Sequence, residues 1–310
     1  MTSASARALL EGLVDYAGLF PPAALSMDEA VAEHGRWRRS PESWMLGRFV
    51  LPAARLRDFS RAADAHLPEP GAGEPWRLSA LLGADVHGDS SLVASFNRSH
   101  AGRAVVDAVE LKAGSPEDAD AALEALPAGL AAFVEVPLGG DLHGILPVLR
   151  RRGASAKART GGVMPEAVPD PADLARFLAD CAAAGVAFKA TAGLHHPVRA
   201  ERALTDEPGS PRATMHGFLN VFAAAAFARA GAPLSEVEAV LREEEAPAFE
   251  LQGDGLVWRS LRVPADALAR ARRDFATSFG SCSFAEPVAD LRSLGVLAPE
   301  SHRPHPRGLA

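Results

Sequence analysis

Lysine is scarce in this chain. Of 32 basic residues only three are lysine, Lys112, Lys157 and Lys189, and the other 29 are arginine. Cysteine is scarcer still. Cys181 and Cys282 stand far apart, neither in a CxxC pair. That argues against a disulfide scaffold or a structural zinc knuckle and suits a reducing cytoplasm, the compartment expected here. No run approaches the roughly 18 apolar residues that a membrane span needs. The opening MTSASARALLEGLVDYAGLF has no continuous apolar core followed by a cleavage site, so neither an anchor nor a signal peptide is expected. The net charge is −7 and the pI near 5.8. Sequence-independent nucleic-acid binding needs a basic surface, so no nucleic-acid partner is expected either. No long-period repeat is visible.

What is present is a regular switch between short apolar runs and alanine-rich amphipathic stretches. Eight runs read as strands: 13–20, 44–52, 76–84, 107–114, 131–138, 154–162, 186–196 and 277–284. Helical stretches separate them, which argues for parallel βαβ units. Eight such units predict a (β/α)8 TIM barrel of about 250 residues with extensions. The 310 residues are expected to form one domain. Ser115-Pro116-Glu117-Asp118 and Asp170-Pro171-Ala172-Asp173 are helix starts, and Gly185 a helix stop. Thr214 is expected to cap the helix that runs to Gly231.

The segment 67–75 is rich in Pro and Gly and reads as a surface loop. Between the seventh and eighth strands the spacing is far longer than a usual connection. An insertion over about 197–275 is expected there, with helices and a β-hairpin at 249–261 turned by Gly253-Asp254-Gly255. A lid or a homodimer contact is the expected role. The tail from about 298 to 310 is expected to fray.

Strand side chains alternate between faces. In 154–162 the small residues Ala154, Ala156 and Ala158 take one face, and Ser155, Lys157 and Arg159 the other. The same alternation turns Lys189 and Thr191, Glu110 and Lys112, Glu135, and Arg48 inward. Asp15 and Tyr16, the only tyrosine, are adjacent, so one of them points inward and the alternation does not say which. A barrel centre built for stability alone would be Val, Ile and Leu. Buried charge is costly unless paired or used. Five inward cations against two acids predict an anionic small-molecule substrate.

Lysine differs from arginine in that its pKa falls readily on burial, which suits a base or a carbonyl nucleophile. Lys157 and Lys189 are expected on adjacent strands about 4.8 Å apart, where mutual repulsion would help one lose its proton. Neutralisation of Glu110 and Glu135 is the plain structural alternative. His195 and His196 follow the seventh strand, and His216 with Asn220 is expected in the first turns of the next helix, facing the barrel mouth. Acid–base work, a metal site or backbone hydrogen bonding would each use such histidines. The spacing matches no HxH or HExxH pattern, so neither a metal nor a cofactor is expected. Thr160 with Gly161-Gly162 would allow close approach of a substrate. Gly280, Ser281, Cys282 and Ser283 suit an anion cradle after the last strand, with Cys282 as a small cradle residue rather than a nucleophile.

Three stretches together resemble the class I aldolases of the deoxyribose-phosphate aldolase type: KARTGG at 157–162, KATAG at 189–193 and GSCS at 280–283. The resemblance covers the second half of the chain. It implies an imine at Lys157, a pKa-lowering role for Lys189 and a phosphate at 280–283. The family's strand-four acid is an Asp, whereas Glu110 stands here. Arg159, His195-His196 and the long insertion have no counterpart in that pattern. The chain as a whole also resembles bacterial proteins carrying WMLGRFV, KARTGG, FKATAGLHHP, MHGFLN and FGSCSFAEP, a likeness that implies no function. The expectation is a lyase acting on a small phosphorylated or carboxylated carbonyl compound. The alternatives are a non-covalent isomerase or decarboxylase, a metal-assisted hydrolase using His195, His196 and His216, and a non-catalytic anion-binding barrel.

Overall fold

The computed structural model describes residues 2–138, 142–205 and 207–299. Helix α1 (Ala4–Leu10) leads into strand β1 (Val14–Tyr16). Six further units then alternate: α2 (Met27–Trp37) and β2 (Leu46–Pro52), α3 (Leu56–Ala63) and β3 (Trp76–Leu81), α4 (Val86–Ser99) and β4 (Ala104–Lys112), α5 (Pro116–Glu124) and β5 (Ala131–Val136), α6 (Leu142–Arg152) and β6 (Ser155–Arg159), α7 (Pro171–Ala184) and β7 (Phe188–Thr191). A hairpin of β8 (Ala200–Ala203) and β9 (Arg212–Met215) follows. After it come α8 (Phe218–Arg229), α9 (Leu234–Arg242) and a meander of β10 (Phe249–Gln252), β11 (Gly255–Trp258) and β12 (Leu261–Pro264). Helix α10 (Ala265–Asp274) then leads into β13 (Ala276–Ser281), and α11 (Ala285–Ser293) follows it.

Strands β1 to β7 pair in order, all parallel, and β13 closes the ring between β7 and β1. The chain is a closed eight-stranded TIM barrel, as the alternation predicts. Helix ends form where their sequence satisfies orphan backbone groups. Ser115 caps α5 through the Asp118 N–H, with Pro116 in the first turn. Asp170 caps α7, and Gly185 ends it in a left-handed conformation. Among the described residues no helix is long and apolar enough to cross a membrane.

The expectations for the insertion need three corrections. Thr214 lies in β9, and Gly217 is the cap residue of α8. His216 therefore precedes the helix and does not sit in its first turn. Every residue of α8 from Phe218 to Phe227 is buried. A helix apolar on all sides has no preferred solvent face, and α8 is wedged among α7, α9 and α10. The expected hairpin at 249–261 is the first two strands of a three-stranded meander, with β12 added where Arg262 and Val263 pair with Val257 and Leu256. This meander packs on α1 and α10, the helices that lead into β1 and β13. Arg272 of α10 fastens the same end. Its guanidinium donates to the carbonyls of Leu9 and Thr277, both at 2.6 Å, and also to those of Ala276 and Glu11. Of the expected frayed tail, 300–310 lies outside the described residues.

Candidate active site

Strand register brings the charges together. Lys157 lies beside Lys189 across β6 and β7, and beside Glu135 across β6 and β5. Paired residues of parallel strands share a face, so all three project into the barrel. Asp15 arrives from β1, opposite Gly280. Glu110 arrives from β4.

These groups form one buried network. The Lys189 ammonium donates to Asp15 Oδ2 and Glu110 Oε1, both at 2.7 Å. Lys157 reaches the other oxygen of Glu110 at 3.0 Å and Glu135 Oε2 at 2.9 Å. Glu110 thus bridges the two lysines. The Ser79 hydroxyl donates to Glu110 and the Ser278 hydroxyl to Asp15, both at 2.8 Å. The remaining Asp15 oxygen accepts from the Arg48 backbone N–H. Glu135 Oε2 is close to Lys157 but has no well-directed hydrogen bond, which leaves it acceptor capacity.

Burial alone would push the Glu110 carboxyl up, but Lys189 and Lys157 outweigh it and hold it down at about 2. Burial alone would discharge Lys189, but Asp15 and Glu110 reverse this and raise its pKa. Glu135 is held below the usual carboxylate range, because Lys157 beside it outweighs burial. This is how buried ions persist: each has partners of opposite sign at hydrogen-bond distance.

Above the network opens a cavity of about 750 Å³. Glu110, Glu135, Lys157 and Lys189 form its charged floor, and Thr191 and Gly280 its adjoining wall. Arg159 and Lys112 reach its rim, where each approaches Glu135, at 3.4 and 3.8 Å. Lys112 does not project into the closed interior as expected. Its side chain is 76% exposed because β4 ends there.

The other expected residues divide. Thr160 donates to the Ala192 carbonyl at 2.6 Å and ties the loops after β6 and β7 together. Gly161 and Gly193 touch. A Cβ on Gly161 would lie 2.8 Å from the Gly193 Cα, so only glycine permits the contact. Gly162 lines the cavity beside them. His195 lines the cavity and bonds Glu286 at 3.0 Å, with Ser281 Oγ at 3.4 Å and Cys282 Sγ at 4.0 Å. Burial would discharge His195, but Cys282 and Glu286 outweigh it and push its pKa up to about 10. The Ser283 hydroxyl accepts from the Glu286 N–H at the start of α11. Ser281, Cys282 and Ser283 are thus engaged with His195 and Glu286 of the chain itself.

Four expected residues stand apart. Arg48 is not a cavity residue. It pairs with Asp107 at 2.6 Å, and Arg77 pairs with the same acid. Asp107 satisfies the guanidinium before any ligand could. His196 pairs with Asp290 at 2.6 Å. His216 bonds the Pro169 carbonyl at 2.9 Å. Asn220 is a bolt. It donates to the carbonyls of Val240 and Glu243 and accepts from the Arg199 N–H. The three histidines have separate partners, and among the described residues no group of three or more His, Cys, Asp or Glu is placed to share a metal ion.

Sequence reasoning missed Asp15, Ser79, Ser278 and Glu286. For Asp15 the signal was present but ambiguous. Tyr16 turns outward, its hydroxyl donating to Glu33 at 2.7 Å and its ring against Phe49. It also missed Leu204 and Met215, the part of the insertion that lines the cavity. Among the described residues, none of the meander does so.

No family model matches the chain, and no curated protein matches it. Among solved structures the chain is similar to a mandelate racemase/muconate lactonizing enzyme-like protein from Rubrobacter xylanophilus, at 18% identity and a TM-score of 0.36. The match covers 60% of this chain and 49% of that one, so the chain spans about half the length of that protein. The barrel assignment rests on this chain's own strand pairings.

Proposed function

We propose that the chain is a lyase of the carbon–carbon type that acts on a small carbonyl compound carrying an anionic group, through an imine at Lys157. The observation that carries this reading is the difference between the two lysines. Both line the cavity floor and both are nearly buried, Lys189 1% and Lys157 5% exposed, but Lys189 is locked between Asp15 and Glu110, whereas Lys157 has beside it a carboxylate, Glu135, with spare acceptor capacity. Glu135 can take a proton from Lys157 and free the amine. The amine adds to the carbonyl carbon, and the oxygen leaves as water, taking one proton from the amine nitrogen and one back from Glu135. The bond between the carbons α and β to the iminium then breaks: a β-hydroxyl gives its proton to Glu135, its carbon leaves as a carbonyl compound, and the electron pair of the broken bond flows into the iminium to give an enamine. Reprotonation and hydrolysis release the product and restore Lys157. Lys189 keeps Glu110 ionised and in place.

Borohydride reduction in the presence of a panel of aldehydes and ketones tests this. The expected result is a stable adduct on Lys157, mapped by peptide mass, with each compound that turns over. Turnover with no adduct on Lys157 overturns the imine.

One observation favours a second reading. The Lys157 ammonium already has two carboxylates within 3.0 Å. An ammonium held in this way can donate to a substrate oxygen while Glu135 moves a proton, the work of a non-covalent isomerase or decarboxylase. That reading predicts turnover without trapping.

A further inference from the structure

The charges around the cavity are unevenly placed, and the unevenness bears on the substrate. The floor holds two cations, Lys157 and Lys189, against three acids, Asp15, Glu110 and Glu135. It has no spare positive charge. An anionic group attached directly to the reacting carbon would face Glu110 and Glu135. The surplus lies at the rim. Arg159 and Lys112 have side chains 46% and 76% exposed, and the acid they share, Glu135, is already engaged by Lys157. The inclusion of Asp15, the loss of Arg48 to Asp107 and the placement of Arg159 and Lys112 at the rim have together reversed the floor's balance relative to the sequence expectation.

Between floor and rim the walls are apolar. Phe20, Leu82 and Val163 line them, and Leu204 and Met215 come from the β8–β9 hairpin. Val163, which lines the cavity, is 42% exposed, and its chain neighbour Met164 is 55% exposed. The cavity, about 750 Å³, lies in the upper part of the roughly 300–1,000 Å³ range of small-molecule sites. A three-carbon phosphorylated sugar would leave most of these walls against water, which the hydrophobic effect disfavours.

We propose that the substrate is an amphipathic ketone or aldehyde: an uncharged carbonyl head at the floor, a hydrocarbon body along the walls, and a carboxylate at the far end against Arg159 and Lys112. This rests on the reading above that the carbonyl meets Lys157. It deepens that reading by placing the anion away from the reacting carbon.

Equilibrium binding to the full chain, measured by calorimetry, tests it with a defined series. Methyl ketones from 2-butanone to 2-octanone should bind progressively more tightly, by up to about fourfold per methylene. At equal carbon number, 7-oxooctanoate should bind best and 2-oxooctanoate worst. Arg159→Ala should weaken 7-oxooctanoate about tenfold and leave 2-octanone unchanged, and Leu204→Trp or Met215→Trp should stop the gain at a shorter chain. Affinity that is flat with chain length, a tightest fit for 2-oxooctanoate or for a three-carbon ketose phosphate, or no binding by any probe overturns the proposal. A chain-length gain without a borohydride adduct would retain this inference and remove the imine. An adduct with a flat series would do the reverse.

Discussion

Two regions of this barrel bury polar side chains completely, and they do so in opposite ways. In the floor network, Lys189 and Glu110 are almost fully buried yet charged, and each has at least two partners of complementary character. On the outer side of β1 and β2, His34 of α2 is equally buried but surrounded by rings. Trp76 lies 4.5 Å away between centroids, Phe49 5.4 Å and Tyr16 5.8 Å. Neither imidazole nitrogen has a hydrogen-bond partner among the described residues. Burial drives the His34 pKa down to about 3, with Arg38 adding repulsion. The protein tolerates a buried charge where it supplies counter-charges, and a buried ionisable group without them stays neutral. Only the first arrangement adjoins a cavity, which is why the floor and not the His34 nest is the candidate for chemistry.

The sharpest way to break this comparison is to remove Lys157, the floor lysine beside Glu135. Lys157→Met should reduce turnover to background while the far-ultraviolet circular dichroism spectrum remains unchanged, and Lys157→Arg should do the same. Activity retained by the arginine variant would mean that only charge matters there. Lys189→Met should act mainly on the fold. It leaves Asp15 and Glu110 buried against each other, so urea unfolding should show a loss of roughly 3–5 kcal/mol.

The two perturbed histidines sharpen the comparison through pH. An unfolded chain protonates His34 below about pH 6.5, whereas the folded chain refuses that proton down to about 3. Stability should therefore fall as pH drops through this window, by on the order of 2–3 kcal/mol at pH 4. In His34→Phe the acid arm of a thermal-melt series should flatten; an unchanged acid arm would assign the loss to other groups. His195 runs the other way, and its effect should be the smallest. Its pKa is raised to about 10, so its pairing with Glu286 stabilises the fold fully below about pH 6.5 and fades as pH climbs through 10. In Glu286→Gln the share of this alkaline loss that Glu286 supplies, roughly 1.5 kcal/mol for a charge-assisted hydrogen bond, should disappear, while the share from Cys282 remains.

Much of the barrel was legible because its signals are local. Strand alternation sorts Lys157 from Ala156 and Ala158, and caps such as Ser115 and Asp170 announce themselves within four residues. The site was legible where inward charges sit in well-formed strands, as with Glu110, Glu135, Lys157 and Lys189. It failed for Arg48, because an inward-facing residue can be claimed by a neighbour such as Asp107 on a strand nearly sixty residues away. It failed for His216 and Asn220, because a buried helix without a polar face gives no phase from which to locate its start.

The sequence by itself determined the strand and helix periods, and with them the parallel barrel and the inward face of most strands. Both follow from backbone geometry over a few residues. Only the tertiary structure decided that Asp15 rather than Tyr16 turns inward, that Glu110 bridges the two lysines, and that the hairpin at 200–215 rather than the meander walls the cavity. Those outcomes depend on ring closure, which sets β1 against β13 and brings residues 174 positions apart, Asp15 and Lys189, to 2.7 Å.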